Sequence, residues 1–147
     1  MTDKPRNRIY HGIEGNAEGA DTRIFVVAGG GSPTERRDHV SVLYELAPEE
    51  SFGWGYSGDS PGRTATAIIE DVLRDLVADL PAVADMPSTA RNDLINEFLC
   101  DFVAHFHDGA EFWLPAQTVI RWAHGYIRER LRNSRSAAEI TQPETGR

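Results

Sequence analysis

The segment Tyr56-Ser57-Gly58-Asp59-Ser60-Pro61-Gly62-Arg63 has the residue types of an anion site. If it leads from a strand into a helix, free backbone N–H groups and the positive end of the helix dipole meet there. Ser57, Gly58 and Ser60 would donate hydrogen bonds, and Arg63 would supply the counter-charge for a phosphate-type ligand. Arg63 in a first helical turn opposes the dipole unless an anion or Asp59 stands beside it. The plainer account is a turn in which the glycines permit the bend, Ser60 caps the helix and Asp59 pairs with Arg63. The spacing lacks both the Gly-Lys-Ser/Thr ending of a P-loop and the glycine pattern of a dinucleotide fold. Gly29-Gly30-Gly31-Ser32 fails the same tests, since Pro33 and a charged run follow; a flexible connection between strands is expected.

Other groups carry weaker chemistry. Ser60 as a nucleophile needs a base within reach and an oxyanion hole, and no local motif selects one of His11, His39, His105, His107 and His124. No catalytic residue is assigned. Asp101, His105 and His107, with Asp108 and Glu111 beyond, are metal-ligating types. Asp101 and His105 share a helix face at i, i+4, but His107 turns away, and zinc wants three or four converging ligands. Histidines beside the last carbonyls of a helix are the simpler expectation, so neither metal nor cofactor is assigned. Cys100, the single cysteine, lies in an apolar helical pattern beside Asp101 and is expected as a small buried side chain. Trp54 and Tyr56 could stack on a base or sugar; with Phe52 they stand at period two, which suits packing against helices.

Charge is the broader signal. The 147 residues carry 23 acidic and 15 basic side chains, a net charge of -8. That excludes a non-specific nucleic-acid coat and a polybasic membrane-surface protein. Residues 1–44 are neutral overall, 45–111 carry -11 and 112–147 carry +3. Asp71, Asp75 and Asp79 form an i, i+4 row with Glu70 adjacent, and are expected to present an acidic surface. Arg121, His124, Arg128 and Arg132 line one face of a later helix, where cations favour the C-terminal dipole. The acidic row would suit a basic protein partner or the basic end of a second copy in a homodimer. Nucleic-acid contact is expected only through the last helix.

These groups need elements to position them. Arg8–Gly12, Arg23–Ala28, Val40–Leu46 and Phe52–Tyr56 have β-branched, aromatic or alternating patterns expected of strands. Val40, Val42, Tyr44 and Leu46 fall on one side of the third run. From Ser60 to Leu80 the apolar residues follow i, i+3, i+4 spacing, with Ser60 as cap, Pro61 as first helical residue and Pro81 as stop. A second stripe runs from Leu94 to Phe106 after the cap Ser88 and ends before Asp108-Gly109; a third begins near Pro115 and reaches Leu131. Strands first and helices after predict an α+β fold, a small antiparallel sheet of three to four strands in the N-terminal third against about three helices. Residues 1–133 are expected to form one domain, and 134–147 a flexible polar tail. With no long apolar run and no apolar segment after Met1–Arg8, neither a membrane span nor a secretory signal is expected, which points to the cytoplasm.

Phe52-Gly53-Trp54-Gly55-Tyr56-Ser57-Gly58-Asp59-Ser60-Pro61, followed by Ala65, Ala67-Ile68-Ile69 and Leu73, resembles the core signature of the DUF6166 family. Phe98 to Phe106, then Asp108-Gly109, Trp113 and Leu114, is similar to that family's helix, turn and Trp-x-Leu segment. The likeness spans roughly residues 38–123. This chain has Gly-Asp-Ser-Pro where the family pattern is Gly-Ser-Gly-Pro, and Gly29–Gly31 has no counterpart. The resemblance implies a small standalone protein of phages, plasmids and bacteria, and supplies no catalytic residues. The expected function is a non-catalytic interaction or regulatory module with an acidic surface, such as a mobile-element accessory or inhibitor. The alternative is a small anion- or nucleotide-binding enzyme built on the Ser57–Arg63 loop.

Overall fold

The structure, a computed structural model, describes residues 7–15, 22–29 and 41–141, with side chains to residue 133. Gly30, Gly31, His39 and Val40 lie outside the described residues. Strands β1 (Arg8–Ile13), β2 (Arg23–Ala28), β3 (Val42–Glu45) and β4 (Phe112–Pro115) form an antiparallel sheet in the order β3-β2-β1-β4. The helices are α1 (Asp59–Asp79), α2 (Ser88–Asp101) and α3 (Ala116–Thr141), so the α+β architecture expected from the order of patterns is present. Alternation along the strands aims Tyr10, Ile24, Val26, Phe112 and Leu114 into one core. They meet the helical stripes of Ile68, Val72 and Leu76, of Leu94 and Phe98, and of Val119, Ile120 and Ala123. Gly12 is the inward residue opposite Phe112, and any Cβ there would overlap the Phe112 ring. Glycine at this position lets the Phe112 ring approach the β1 backbone.

The fourth strand does not come from Phe52–Tyr56. That segment forms no ladder: Gly53 exchanges hydrogen bonds with the Thr64 hydroxyl, and the Gly55 N–H donates to the Val103 carbonyl. Gly55 has φ 90°, and a Cβ there would stand 2.5 Å from the Asp108 nitrogen. The left-handed turn breaks the period of two. Phe52 and Trp54 therefore enter the core, whereas Tyr56 is swung out and is 47% exposed. Phe112–Pro115 takes the place beside β1 instead.

Helix ends also depart from expectation. Gly58, not Ser60, is the cap residue of α1, and no side chain caps it. Pro61 still falls among the first residues of the helix, whose N–H groups have no internal partner. Ser88 is the first residue of α2, after Pro87. The stripe expected to reach Phe106 leaves the α-helix at Phe102 and passes into a 3-10 turn, Val103–His105. That break stacks Phe106 on Phe112, with ring centres 4.5 Å apart, and carries the chain toward β4. Cys100 is exposed, not buried: it sits two residues past Phe98, about 200° around the helix from the buried stripe. Helix α3 continues through Asn133 to Thr141, so the expected tail boundary falls within it; residues 142–147 lie outside the described residues.

Candidate functional site

Arg8 has the same inward direction on β1 as Tyr10, which drives a guanidinium into the core side of the sheet. It is 1% exposed. Its Nε and Nη2 donate to Asp71 Oδ2 at 3.1 and 2.7 Å, and Nη2 also reaches Asp75 Oδ2 at 2.6 Å. The Tyr10 hydroxyl donates to Asp71 Oδ2 at 2.5 Å, and the Tyr44 hydroxyl donates to Asp71 Oδ1 at 2.7 Å. Asp71 and Asp75 are therefore not part of an acidic surface. They sit on the side of α1 that carries Ile68 and Val72 to the sheet, and Asp71 is 4% exposed. Asp79, one turn on, is exposed.

A buried carboxylate is tolerated where donors satisfy both oxygens and an opposite charge lies beside it. Asp71 meets both conditions. Burial acts to lower the Arg8 pKa, but its bond to Asp75 and the fields of Tyr10 and Asp71 outweigh that and hold it charged. Burial, then the neighbouring Asp71 charge, pushes the Tyr10 phenol far above its ordinary value of 10.0. Burial and the hydrogen bond to Asp71 raise Tyr44 as well. Below about pH 10 both phenols are protonated, folded or unfolded, so their contribution is fully present. Above it the unfolded chain loses protons that the folded chain keeps, and stability falls. The expected loss is about 1.4 kcal/mol per pH unit for Tyr10, and less for the partly exposed Tyr44. Urea midpoints between pH 8 and 11 check this: Tyr10→Phe should flatten the alkaline decline, and an equal decline in wild type and variant contradicts it.

The residues singled out in the sequence are not drawn into one site. Arg63 Nε donates to the Ser51 carbonyl at 2.7 Å and Nη2 to Ser60 Oγ at 2.9 Å. Glu50, rather than Asp59, is its carboxylate neighbour, at 3.8 Å. The guanidinium thus ties the incoming chain to α1, while Ser57 and Gly58 are exposed beyond it. Asp101 ends α2, His105 lies on the 3-10 turn and His107 follows it, so the helical i, i+4 relation is lost. Among the described residues, no three His, Cys, Asp or Glu side chains are grouped to hold a metal. Arg121, Arg128 and Arg132 are exposed on α3, with Arg132 bonded to Glu129 at 3.1 Å. Arg130 reaches across to Asp93 of α2 at 2.9 Å.

The sheet face turned away from the core holds a cluster that sequence periodicity did not single out. His11 is paired with Trp113 in the β1–β4 register and with Phe25 in the β1–β2 register; Phe25 is paired in turn with Glu45. The His11 and Trp113 rings stack at 3.5 Å with planes 12° apart. His11 Nε2 lies 2.5 Å from Glu111 Oε2. Trp113 is 49% exposed, and Ile13, further along the same face of β1, is 38% exposed. Glu45 at the other side of the row is held by Arg23 at 3.7 Å. Phe112, Trp113 and Leu114 are all apolar, so no alternation shows in the sequence; only the strand turns them buried, exposed, buried, with one aromatic outward.

Comparison with family models, curated proteins and solved structures returned no match. Among the described residues, no helix is long and apolar enough to cross a membrane.

Proposed function

We propose that this chain is a non-catalytic protein-interaction module that docks a basic, partly apolar segment of another protein on the outer face of its sheet. The observation that carries this is Trp113, half exposed and held flat on His11 beside Glu111. Tryptophan in a fixed orientation offers a large contact area at little conformational cost, as at the centre of protein interfaces. Ile13 extends the apolar surface, and Glu111 places an exposed carboxylate at one side of the row, while Glu45 at the other is shared with Arg23. A partner segment with an apolar residue for Trp113 and Lys or Arg on its flanks complements that pattern. The acidic character expected of the surface is thereby moved from the Asp71 row to the rim of this face. In the buried cluster both Asp71 oxygens are already occupied by donors, so that carboxylate holds the fold together rather than serving as a base. Action in the cytoplasm, as an accessory or inhibitor of a mobile element, is the setting that the Phe52–Pro61 resemblance favours.

A synthetic peptide of alternating Leu and Lys serves as the probe, followed by calorimetry and by Trp113 emission. Binding is expected to weaken with salt, since exposed charges are screened beyond about 10 Å at 0.1 M. Trp113→Ala is expected to weaken it about thirtyfold or more, the scale of an aromatic hot spot. A Leu/Glu peptide should not bind. Equal affinity of wild type and Trp113→Ala, or affinity indifferent to salt, refutes the reading.

A further inference from the structure

Among the described residues, two arginines that form no ion pair line the cleft between α1, the 3-10 turn Pro81–Asp85 and α2. Arg74 of α1 and Arg91 of α2 both line it, as does Glu70, and its volume is about 310 Å3. Arg91 Nε is shut off from solvent and meets no hydrogen-bond partner among the described residues. A buried donor in that state is unfavourable, and two guanidinium groups on one cleft add mutual repulsion. Arg91 also stands in the first turn of α2, where a cation opposes the helix dipole. Leu73, Val77 and Val83 supply an apolar wall, with Val77 38% exposed.

From these features we infer that the cleft binds a small carboxylic acid with a short aliphatic tail. The carboxylate would lie between Arg74 and Arg91, and the tail along Val77 and Val83. Planar guanidinium groups match a carboxylate through paired N–H donors, and one anion between Arg74 and Arg91 relieves their repulsion. Glu70 decides the ligand's charge. Two cations and one carboxylate leave a single net positive charge, which suits a monoanion and disfavours a phosphate dianion. The volume is at the lower end of small-molecule sites, which suits a ligand of a few carbons.

Hexanoate, inorganic phosphate and hexanol test the inference on the full chain, by calorimetry and thermal shift. Hexanoate is expected to bind saturably and raise Tm, with phosphate and hexanol both weaker. Arg74→Gln and Arg91→Gln are each expected to weaken hexanoate about tenfold or more, the scale of a charge-assisted hydrogen bond. Glu70→Gln should tighten hexanoate and admit phosphate; Glu70 and Arg74 are exposed, so these two variants keep the test open should Arg91→Gln not fold. Absence of hexanoate binding, phosphate or hexanol binding as tightly, or unchanged affinity in Arg74→Gln overturns the assignment.

Discussion

Asp71→Ala is expected to destabilise the protein by about 3–5 kcal/mol, the cost of breaking a buried ion pair by removing one partner. The substitution strips Arg8 of its bonds at 2.7 and 3.1 Å while leaving the guanidinium 1% exposed. It also leaves the hydroxyls of Tyr10 and Tyr44 without the carboxylate oxygens they donate to. For a chain of this length the loss corresponds to roughly 6–20 °C in melting temperature. Urea denaturation followed by circular dichroism is the measurement. The companion variant Arg8→Met with Asp71→Leu and Asp75→Leu should lose much less, because it removes the buried arginine together with both carboxylates paired to it. Were Asp71 merely one of a solvated acidic row, Asp71→Ala would change stability by less than about 0.5 kcal/mol. That outcome would remove the buried cluster from the account of the fold.

Trp54→Ala is expected to cost about 3–5 kcal/mol, as large aromatic truncations in cores do. Trp54 is fully buried, meets Phe112 edge to face at 4.8 Å, and donates from Nε1 to the Ala110 carbonyl at 2.8 Å. It thus joins the unladdered segment before α1 to the turn before β4. Trp54→Phe separates the two contributions: it keeps much of the apolar contact but leaves the Ala110 carbonyl without this donor, and should cost about 1–3 kcal/mol. Loss of near-ultraviolet circular dichroism at 290 nm, alongside a lower urea midpoint, reports both. A Trp54→Ala protein as stable as wild type would show that this connection contributes nothing to the core.

Much of the fold was legible from local pattern. The 3.6-residue period of Ile68, Ile69, Val72 and Leu76 needs only neighbours along one helix, and Pro81 and Pro87 punctuate the chain wherever it folds. Aromatic alternation misled at Phe52–Tyr56 because one glycine with positive φ reverses the side of the next ring. The same local logic hid β4, whose four residues are too short to show a period by themselves.

By itself, the sequence determined three of the four strands, the three helices, the α+β class and the uneven distribution of charge. Tertiary structure alone decided which charges are inside. Arg8 and Asp71 stand 63 residues apart, and His11 and Glu111 stand 100 apart. An aspartate row at i, i+4 has the same local pattern whether water or a buried arginine lies opposite. The difference is set by strand register and by the face that α1 turns to the sheet, and neither is a property of the neighbouring residues along the chain.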